Sequence, residues 1–208
     1  MASTSRKENQ PIYILHSYPF KETSLIVEIL SKDFGRVALV AKGARRPKSS
    51  LRGMLLPFQS LHATWSGLQD LKTLHNVDWS NAFLAIEGDA LVCGFYLNEL
   101  IMRLVPKDDP YPRLYDFYHK TILALTTNKS LNMILRRFEL RLLQEIGYEV
   151  PLKNDVQGSI IDPKKQYFYE AGSGASDDKK FSNQLVISGK TLIDMADDNY
   201  ENKDTEKQ

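Results

Sequence analysis

Cysteine is almost absent from this chain of 208 residues, since Cys93 is the only one. A single thiol cannot form an internal disulfide or a cysteine-based zinc site, and this favours a reducing compartment. The sequence also lacks a hydrophobic run long enough for a signal-peptide core or a membrane span. We therefore expect a cytoplasmic protein.

Recognisable catalytic motifs are lacking as well. The sequence contains none of the patterns GxxxxGK[ST], GxGxxG and GxSxG, which mark phosphate-binding loops and nucleophile elbows. The four histidines show no metal-ligand spacing. Neighbouring carboxylates such as Asp108 and Asp109 diverge on loops and give no acid–base geometry. The sequence thus predicts a protein that is not an enzyme and that needs no metal or other cofactor.

A net charge of only +1 excludes a strong overall field, but the charge is unevenly distributed. Residues 1–80 carry eleven Lys or Arg and six Asp or Glu, whereas residues 194–208 carry six acids and two lysines. The densest cationic stretch is VAKGARRPKSSLRG, residues 40–53, which contains no carboxylate. A cationic loop of this kind either keeps a surface solvated or follows a polyanion, and composition alone leaves both readings open.

Side chains alternate between apolar and polar from Ile12 to Val77, as half-buried strands require. The pattern predicts five strands, at residues 12–18, 24–30, 36–42, 58–65 and 71–77. Their connections suit an antiparallel meander, and closure into a small barrel would remove its exposed edges. We expect residues 1–79 to form a five-stranded barrel of the OB type.

A helical period follows, and the fold class is therefore α+β with several domains. The first helix is predicted to begin with Asp89 as its N-cap, the second near Pro112, and the third after the N-cap Ser130. Gly147 is expected to end the third helix in a left-handed conformation. These three helices define an all-helical domain, residues 80–150.

Residues 151–208 are expected to form a small C-terminal segment. It contains a predicted hairpin made of GSIID (158–162) and KQYFYE (165–170), then a linker, AGSGASDDKK. A short apolar stretch follows, and the acidic end, residues 197–208, has the composition of a disordered tail.

Aromatic residues and arginines near these elements have two readings each. Phe58 and Trp65 could stack on nucleobases beside the cationic loop, although barrel core is the more common role for either alone. Arginines on the third helix, such as Arg136, usually form a solvated face. Beside an apolar groove, however, such a guanidinium could grip the carboxylate of an acidic peptide with an aromatic end.

Six stretches between residues 12 and 150 occur in the order and spacing of a known protein family: ILHSYPFKETSLIVEIL, FGRVALVAKGARRPKS, LPF, LKTL, YLNELI and LRRFELRLLQEIGY. As a series they resemble the RecO family of bacterial recombination mediators. The resemblance implies an OB barrel, a helical domain and an activity without turnover chemistry. Proteins of this kind bind single- and double-stranded DNA and anneal complementary strands. With the partner RecR they load the RecA recombinase onto strands coated by the single-strand-binding protein SSB, which implies a nucleoid-associated location.

The resemblance also assigns two sets of site residues. The family's DNA-contacting region corresponds to seven cations of this chain: Arg36, Lys42, Arg45, Arg46, Lys48, Arg52 and Lys72. The family's helical domain docks the acidic, phenylalanine-ended tail of SSB. That match assigns the carboxylate contact to Arg136 and the pocket walls to Leu135, Leu142 and Ile146.

The chain departs from the family pattern in two places, and two other functions remain open. The four zinc-binding cysteines of many members are missing, so the segment 152–171 is expected to be held by packing alone. Many members also continue through a further helix and a basic segment, where this sequence is acidic. The main alternative is a protein-interaction scaffold whose barrel does not bind DNA. A nuclease would need clustered carboxylates or histidines, which the sequence does not offer.

Overall fold

The computed structural model describes residues 5–127, 130–148, 150–170, 172–178 and 185–200. The chain divides into two compact units, Met1–Asn128 and Lys129–Gln208. The boundary differs from the predicted limits of the helical domain, because it groups the first two predicted helices with the strands and the third with the C-terminal residues. The division into three domains at residues 79 and 150 stays a prediction.

Five strands of the N-terminal unit form a closed barrel in the order β1-β2-β3-β5-β4. The strands are β1 (Arg6–Phe20), β2 (Ser24–Ser31), β3 (Gly35–Ala41), β4 (Ser60–Ser66) and β5 (Leu71–Trp79). The predicted five-stranded sheet is therefore confirmed. Alternate side chains such as Val27, Ile29, Val37, Leu39 and Leu61 are buried and fill the barrel interior.

The first strand closes the barrel because it pairs with two neighbours. Its first half, from Arg6 to Tyr13, lies antiparallel to β4, and its second half, from Ile12 to Phe20, lies antiparallel to β2. The register with β2 shifts between Ile14 and His16. Such an irregularity increases the local bend of a strand, as a small barrel requires.

The pairing of β3 with β5 is parallel, with Ala38 opposite Leu71 and Val40 opposite Thr73. The expected antiparallel meander is wrong at this position. Parallel neighbours cannot be joined by a tight turn, and the long connection between β3 and β4 supplies the crossover. It contains one short helix, α1 (Leu51–Met54), which the sequence analysis did not predict.

Two helices, α2 (Gly88–Leu104) and α3 (Pro112–Ala124), cover the outer face of β1. Asp89 lies in the first turn of α2 rather than at its N-cap, which is Glu87. The Asn98 side chain donates a hydrogen bond to the Leu15 carbonyl (2.8 Å) and accepts one from the Tyr118 hydroxyl (2.5 Å). This buried network joins the barrel and the two helices within one unit.

The C-terminal unit begins with α4 (Leu131–Glu145), whose predicted N-cap Ser130 accepts a hydrogen bond from the Met133 amide. Gly147 has φ +89°, which confirms the predicted left-handed end. Three strands, β6 (Gln166–Glu170), β7 (Gly174–Ser176) and β8 (Leu185–Ser188), form a sheet in the order β7-β6-β8. The helix α5 (Gly189–Ala196) follows β8.

The predicted hairpin of residues 158–162 with residues 165–170 is wrong, because only the second half is a strand and its partners are β7 and β8. The Asp155 carboxylate accepts hydrogen bonds from the Gln157 and Ser159 amides (2.9 and 2.8 Å), which folds the first half into a turn. The predicted linker contains β7, whose small residues are all buried.

The predicted disordered end lies partly outside the described residues, at 201–208. Its first four residues, 197–200, make defined contacts instead. Asp198 pairs with Arg137, Asp197 pairs with Lys153 (3.4 Å), and the Tyr200 side chain is buried. The acidic composition of these residues therefore neutralises nearby cations of the same unit.

Candidate nucleic-acid interface

The cationic stretch leaves β3 as an exposed loop, residues 42–52, which we call the basic loop. Gly43 adopts φ +70°, and the next residue, Ala44, is buried in the barrel core. The Arg45 amide donates a hydrogen bond to the Thr23 carbonyl (2.9 Å) and fixes the loop to the β1–β2 turn. The loop is thus anchored at its start while its long side chains remain outside.

Successive turns give the basic loop a defined path. The Arg46 amide donates to the Gly43 carbonyl (3.1 Å), the Ser49 amide to the Arg46 carbonyl (3.0 Å), and the Arg52 amide to the Ser49 carbonyl (3.3 Å). A backbone held in this way presents its side chains at fixed positions, which lowers the entropy cost of binding a ligand.

All five cations of the basic loop are exposed: Lys42, Arg45, Arg46, Lys48 and Arg52. The Arg45 guanidinium donates hydrogen bonds to the carbonyls of Lys21 and Glu22 (3.2 Å each), and these partners carry no charge. Within residues 5–127, none of the five cations forms an ion pair with a carboxylate. The loop is therefore a surface of uncompensated positive charge.

The other two predicted DNA contacts, Arg36 and Lys72, lie in different surroundings. Only 14% of each side chain is exposed. The Lys72 ammonium group contacts the Asp108 carboxylate at 2.5 Å. Arg36 donates to the Val105 carbonyl (3.0 Å) and lies 3.4 Å from the Glu28 carboxylate. The charges of both residues are therefore balanced within the protein.

Glu28 is the centre of this second cluster. Its buried carboxylate contacts Arg36 through one oxygen and Lys107 (3.1 Å) through the other. Burial, together with the charge of Glu28, raises the pKa of the nearby Tyr18 hydroxyl. The Asp108 amide donates to the Arg36 carbonyl (2.9 Å), so the α2–α3 connection lies along the start of β3. Arg36 and Lys72 thus hold this connection against the barrel.

The aromatic residues on and after the neighbouring strands also divide into two groups. Phe58 and Trp65 are buried, which is the core role that the sequence analysis gave as the more common one. Trp79 and Phe83 are exposed, by 43% and 60%, and their rings meet edge to face with centroids 6.2 Å apart. The sequence alone does not single out this exposed pair, because the alternating pattern does not show which strand end remains uncovered.

The predicted peptide-docking residues all lie on or just after α4, in the C-terminal unit. Arg136 is exposed and its guanidinium contacts Glu139 at 2.5 Å. Leu135 and Ile146 are half-buried, whereas Leu142 is only 1% exposed and belongs to the core. Arg137 is engaged by Asp198, whose hydrogen bond raises the pKa of the Arg137 guanidinium. Arg136 is thus the most exposed arginine of this helix.

A small open cavity of about 290 Å³ lies at the end of α4. Its lining residues are Gln144, Gly147, Tyr148 and Val150. Ile146 lies within this stretch of sequence but does not line the cavity. Arg136 is more than two helical turns away along α4, so the cavity and the guanidinium are separate features of the unit.

The described residues contain no group of three His, Cys, Asp or Glu side chains arranged to hold a metal ion. The same part of the chain contains no helix that is long and apolar enough to cross a membrane.

Comparison with protein families gives a match over nearly the whole chain. Residues 6–83 match the model described as "Recombination protein O N terminal", and residues 87–202 match "Recombination protein O C terminal". The chain belongs to the RecO family. The first match covers the barrel, including the basic loop, and the second begins just before α2.

Relatives from several bacteria carry the name "DNA repair protein RecO". The protein of Nitrosospira multiformis is 48% identical over 198 residues, which cover 94% of this chain and 82% of that protein. The protein of Burkholderia pseudomallei is 43% identical over 205 residues, covering 98% and 74%. That of Chromobacterium violaceum is 48% identical over 167 residues, covering 80% and 68%. The chain is therefore a member of a DNA repair family.

Proposed function

We propose that this RecO-family protein is a recombination mediator that binds single- and double-stranded DNA and anneals complementary strands. Together with RecR, it would help to load RecA onto single strands coated by SSB. The observation that carries this proposal is the basic loop, in which five exposed cations have no carboxylate partner among the described residues. Because the chain belongs to a DNA repair family, DNA is the polyanion that we expect this surface to bind.

The barrel provides a rigid support for this activity. We infer that it is of the OB type, because five strands close in the order β1-β2-β3-β5-β4 and one helix lies between β3 and β4. OB barrels commonly bind single strands along a charged and aromatic surface. The loop cations would neutralise phosphates of two strands at once and reduce their repulsion during pairing.

Five of the seven predicted DNA contacts remain in this proposal: Lys42, Arg45, Arg46, Lys48 and Arg52. Arg36 and Lys72 are left out, because both already neutralise carboxylates of the protein: Arg36 shares the buried Glu28 with Lys107, and Lys72 pairs with Asp108. Separating a well-buried ion pair such as Arg36 and Glu28 costs about 3–5 kcal/mol. The strand should therefore follow the basic loop and not the α2–α3 connection.

The C-terminal unit supports the second part of the proposal, which is capture of the SSB tail. An acidic peptide could compete with Glu139 for Arg136, because the Arg136 side chain is 53% exposed and can be reached from solvent. Leu135, which neighbours Arg136, would contact the terminal phenylalanine, whereas Ile146 lies about 16 Å further along the helix and would contact an earlier part of the tail, with Leu142 supporting it from the core. Tail capture would bring the barrel to the coated strand at a high effective concentration.

Annealing of complementary oligonucleotides precoated with SSB tests the whole proposal. We expect the protein to accelerate annealing and to shift labelled single strands and duplexes at low salt. A protein that binds neither form of DNA would instead fit the interaction scaffold. Cleavage of the strands in the presence of Mg²⁺ would indicate a nuclease and would contradict the proposal. The cytoplasm, where the nucleoid lies, is the expected compartment.

A further inference from the structure

One end of the barrel carries both the basic loop and the exposed aromatic pair, Trp79 and Phe83. The strands β3 and β5 run parallel, so their C-terminal ends point to the same end of the barrel. The basic loop leaves the end of β3, and Trp79 is the last residue of β5. Helix α1, which carries Arg52, also packs against β5. The basic loop and the exposed aromatic pair therefore lie at the same end of the barrel.

The chain between Phe83 and α2 is fixed by hydrogen bonds to Gln59, the residue before β4. The Gln59 side chain donates to the Leu84 carbonyl and accepts from the Leu84 amide, both at 3.1 Å. Phe83 lines an apolar groove of about 300 Å³ together with Leu56, which follows α1 by two residues, and with Phe95. Phe83 is thus held in place while 60% of it remains exposed.

Large exposed aromatic rings indicate a binding surface when they are grouped and held rigidly. One exposed carboxylate lies beside this pair, since Glu87 lines the same groove as Phe83. This carboxylate repels phosphate groups, whereas the basic loop attracts them. A single strand that satisfies both would place its phosphates along the loop and turn its bases towards the rings.

We propose that Trp79 and Phe83 form a stacking site for unpaired nucleobases of a single strand whose phosphates lie along the basic loop. This inference rests on the proposed function and names the part of the ligand that the barrel end recognises. Stacking needs a free base face, and the bases of a duplex have none to offer inside the helix. The aromatic pair should therefore favour single strands, whereas the loop cations bind both forms.

Tryptophan fluorescence can test this directly, because the chain has only two tryptophans and they lie in opposite surroundings. Trp65 is buried inside the barrel, and Trp79 is exposed. We expect an unlabelled single strand to quench the emission, and a duplex at equal saturation to leave it nearly unchanged. In the variant Trp79→Phe, which keeps an aromatic ring, binding should persist while the quenching disappears.

Substitution of the rings gives a second, independent measurement. In Trp79→Ala and in Phe83→Ala, affinity for a single strand should fall by about fivefold to 150-fold for each lost base contact. Duplex affinity and the slope of affinity against salt should remain those of the parent. Leu68→Ala is the matched control, since Leu68 is 73% exposed in the β4–β5 turn at the opposite end of the barrel.

The outcomes separate this inference from the function on which it depends. If the parent protein binds neither single strands nor duplexes, the proposed function fails. If it binds both, but single strands do not quench Trp79 and both alanine variants keep parental affinity, only the stacking site is refuted. The stacking site is also refuted if the alanine variants lose the same affinity for duplexes as for single strands. It is likewise refuted if an acidic peptide, and not DNA, quenches the Trp79 emission. Thermal unfolding of each variant shows whether a loss of DNA affinity arises from misfolding. If Trp79→Ala does not fold, Phe83→Ala still tests the stacking site.

Discussion

Neutralising Arg46 and Lys48 together should make DNA binding less sensitive to salt. Both side chains are exposed and neither forms an ion pair in the described part of the chain, so their removal breaks no internal contact between charges. Arg45 is a poorer choice because its guanidinium supports the β1–β2 turn through two carbonyls. The double variant Arg46→Gln with Lys48→Gln therefore changes the charge of the basic loop and leaves its anchors in place.

The size of the effect follows from counterion release. Each neutralised phosphate contributes about −0.7 to the slope of log K against log salt for a single strand, and about −0.9 for a duplex. If each of the five loop cations meets one phosphate, the slope for a single strand is about −3.5. Loss of two contacts leaves about −2.1, so the affinity lost between about 50 and 200 mM salt falls from about 130-fold to about 18-fold.

Fluorescence anisotropy of a labelled oligonucleotide at several salt concentrations measures this slope. The matched control is Arg113→Gln with Lys120→Gln, which removes the same charge from two exposed positions on α3. We expect the control to keep the parental slope. If the loop variant keeps the parental slope, these two cations do not contact DNA. If the control changes the slope by the same amount, only the overall charge of the protein matters.

Three further predictions concern other parts of the molecule. Arg136→Ala should weaken binding of an acidic, phenylalanine-ended peptide by about 1.5–3 kcal/mol in calorimetry while DNA binding persists, and parental peptide affinity would exclude this contact. Gly35→Ala should lower the free energy of unfolding, measured in urea, by roughly 2–5 kcal/mol. The reason is that φ of Gly35 is +65° and the new methyl group would overlap the Asp109 carbonyl. Gly88→Ala is the control for the backbone cost alone, because Gly88 has φ +58° but open space around it. Burial raises the pKa of Tyr118 well above 10, so the free energy of unfolding should fall as pH rises above about 10; in Tyr118→Phe this fall should be smaller, and an identical pH profile would contradict the assignment.

The sequence predicted the strands of the barrel because each one alternates between buried and exposed side chains. It predicted the ends of α4 because Ser130 and Gly147 act through local hydrogen bonds and backbone conformation. It did not predict the parallel pairing of β3 with β5, because periodicity says which residues are strands and not which strands are neighbours. The composition of Gly174–Ser176 predicts a linker, because small residues are typical of loops, but the segment forms β7.

The same limit applies to the candidate interface. The basic loop could be recognised because its cations are adjacent in sequence and no carboxylate stands among them. The roles of Arg36 and Lys72 could not, since their partners Glu28 and Asp108 come from β2 and from the α2–α3 connection. The exposure of Trp79 likewise depends on the tertiary packing at the end of β5. A sequence shows where charges and rings are concentrated, but only the packing decides which of them face solvent.

The division of the cations into two groups would restrict the path of a strand bound as proposed. Around Glu28, two cations share one buried carboxylate, and a phosphate placed there would compete with a partner that cannot leave the interior. At the basic loop, a phosphate displaces only water and mobile counterions, and releasing those ions favours binding. DNA should therefore enter from the end of the barrel where β3 and β5 finish. Charge-neutral variants of the internal pairs, such as Lys72→Met with Asp108→Leu, should then alter stability without altering the salt dependence of DNA binding.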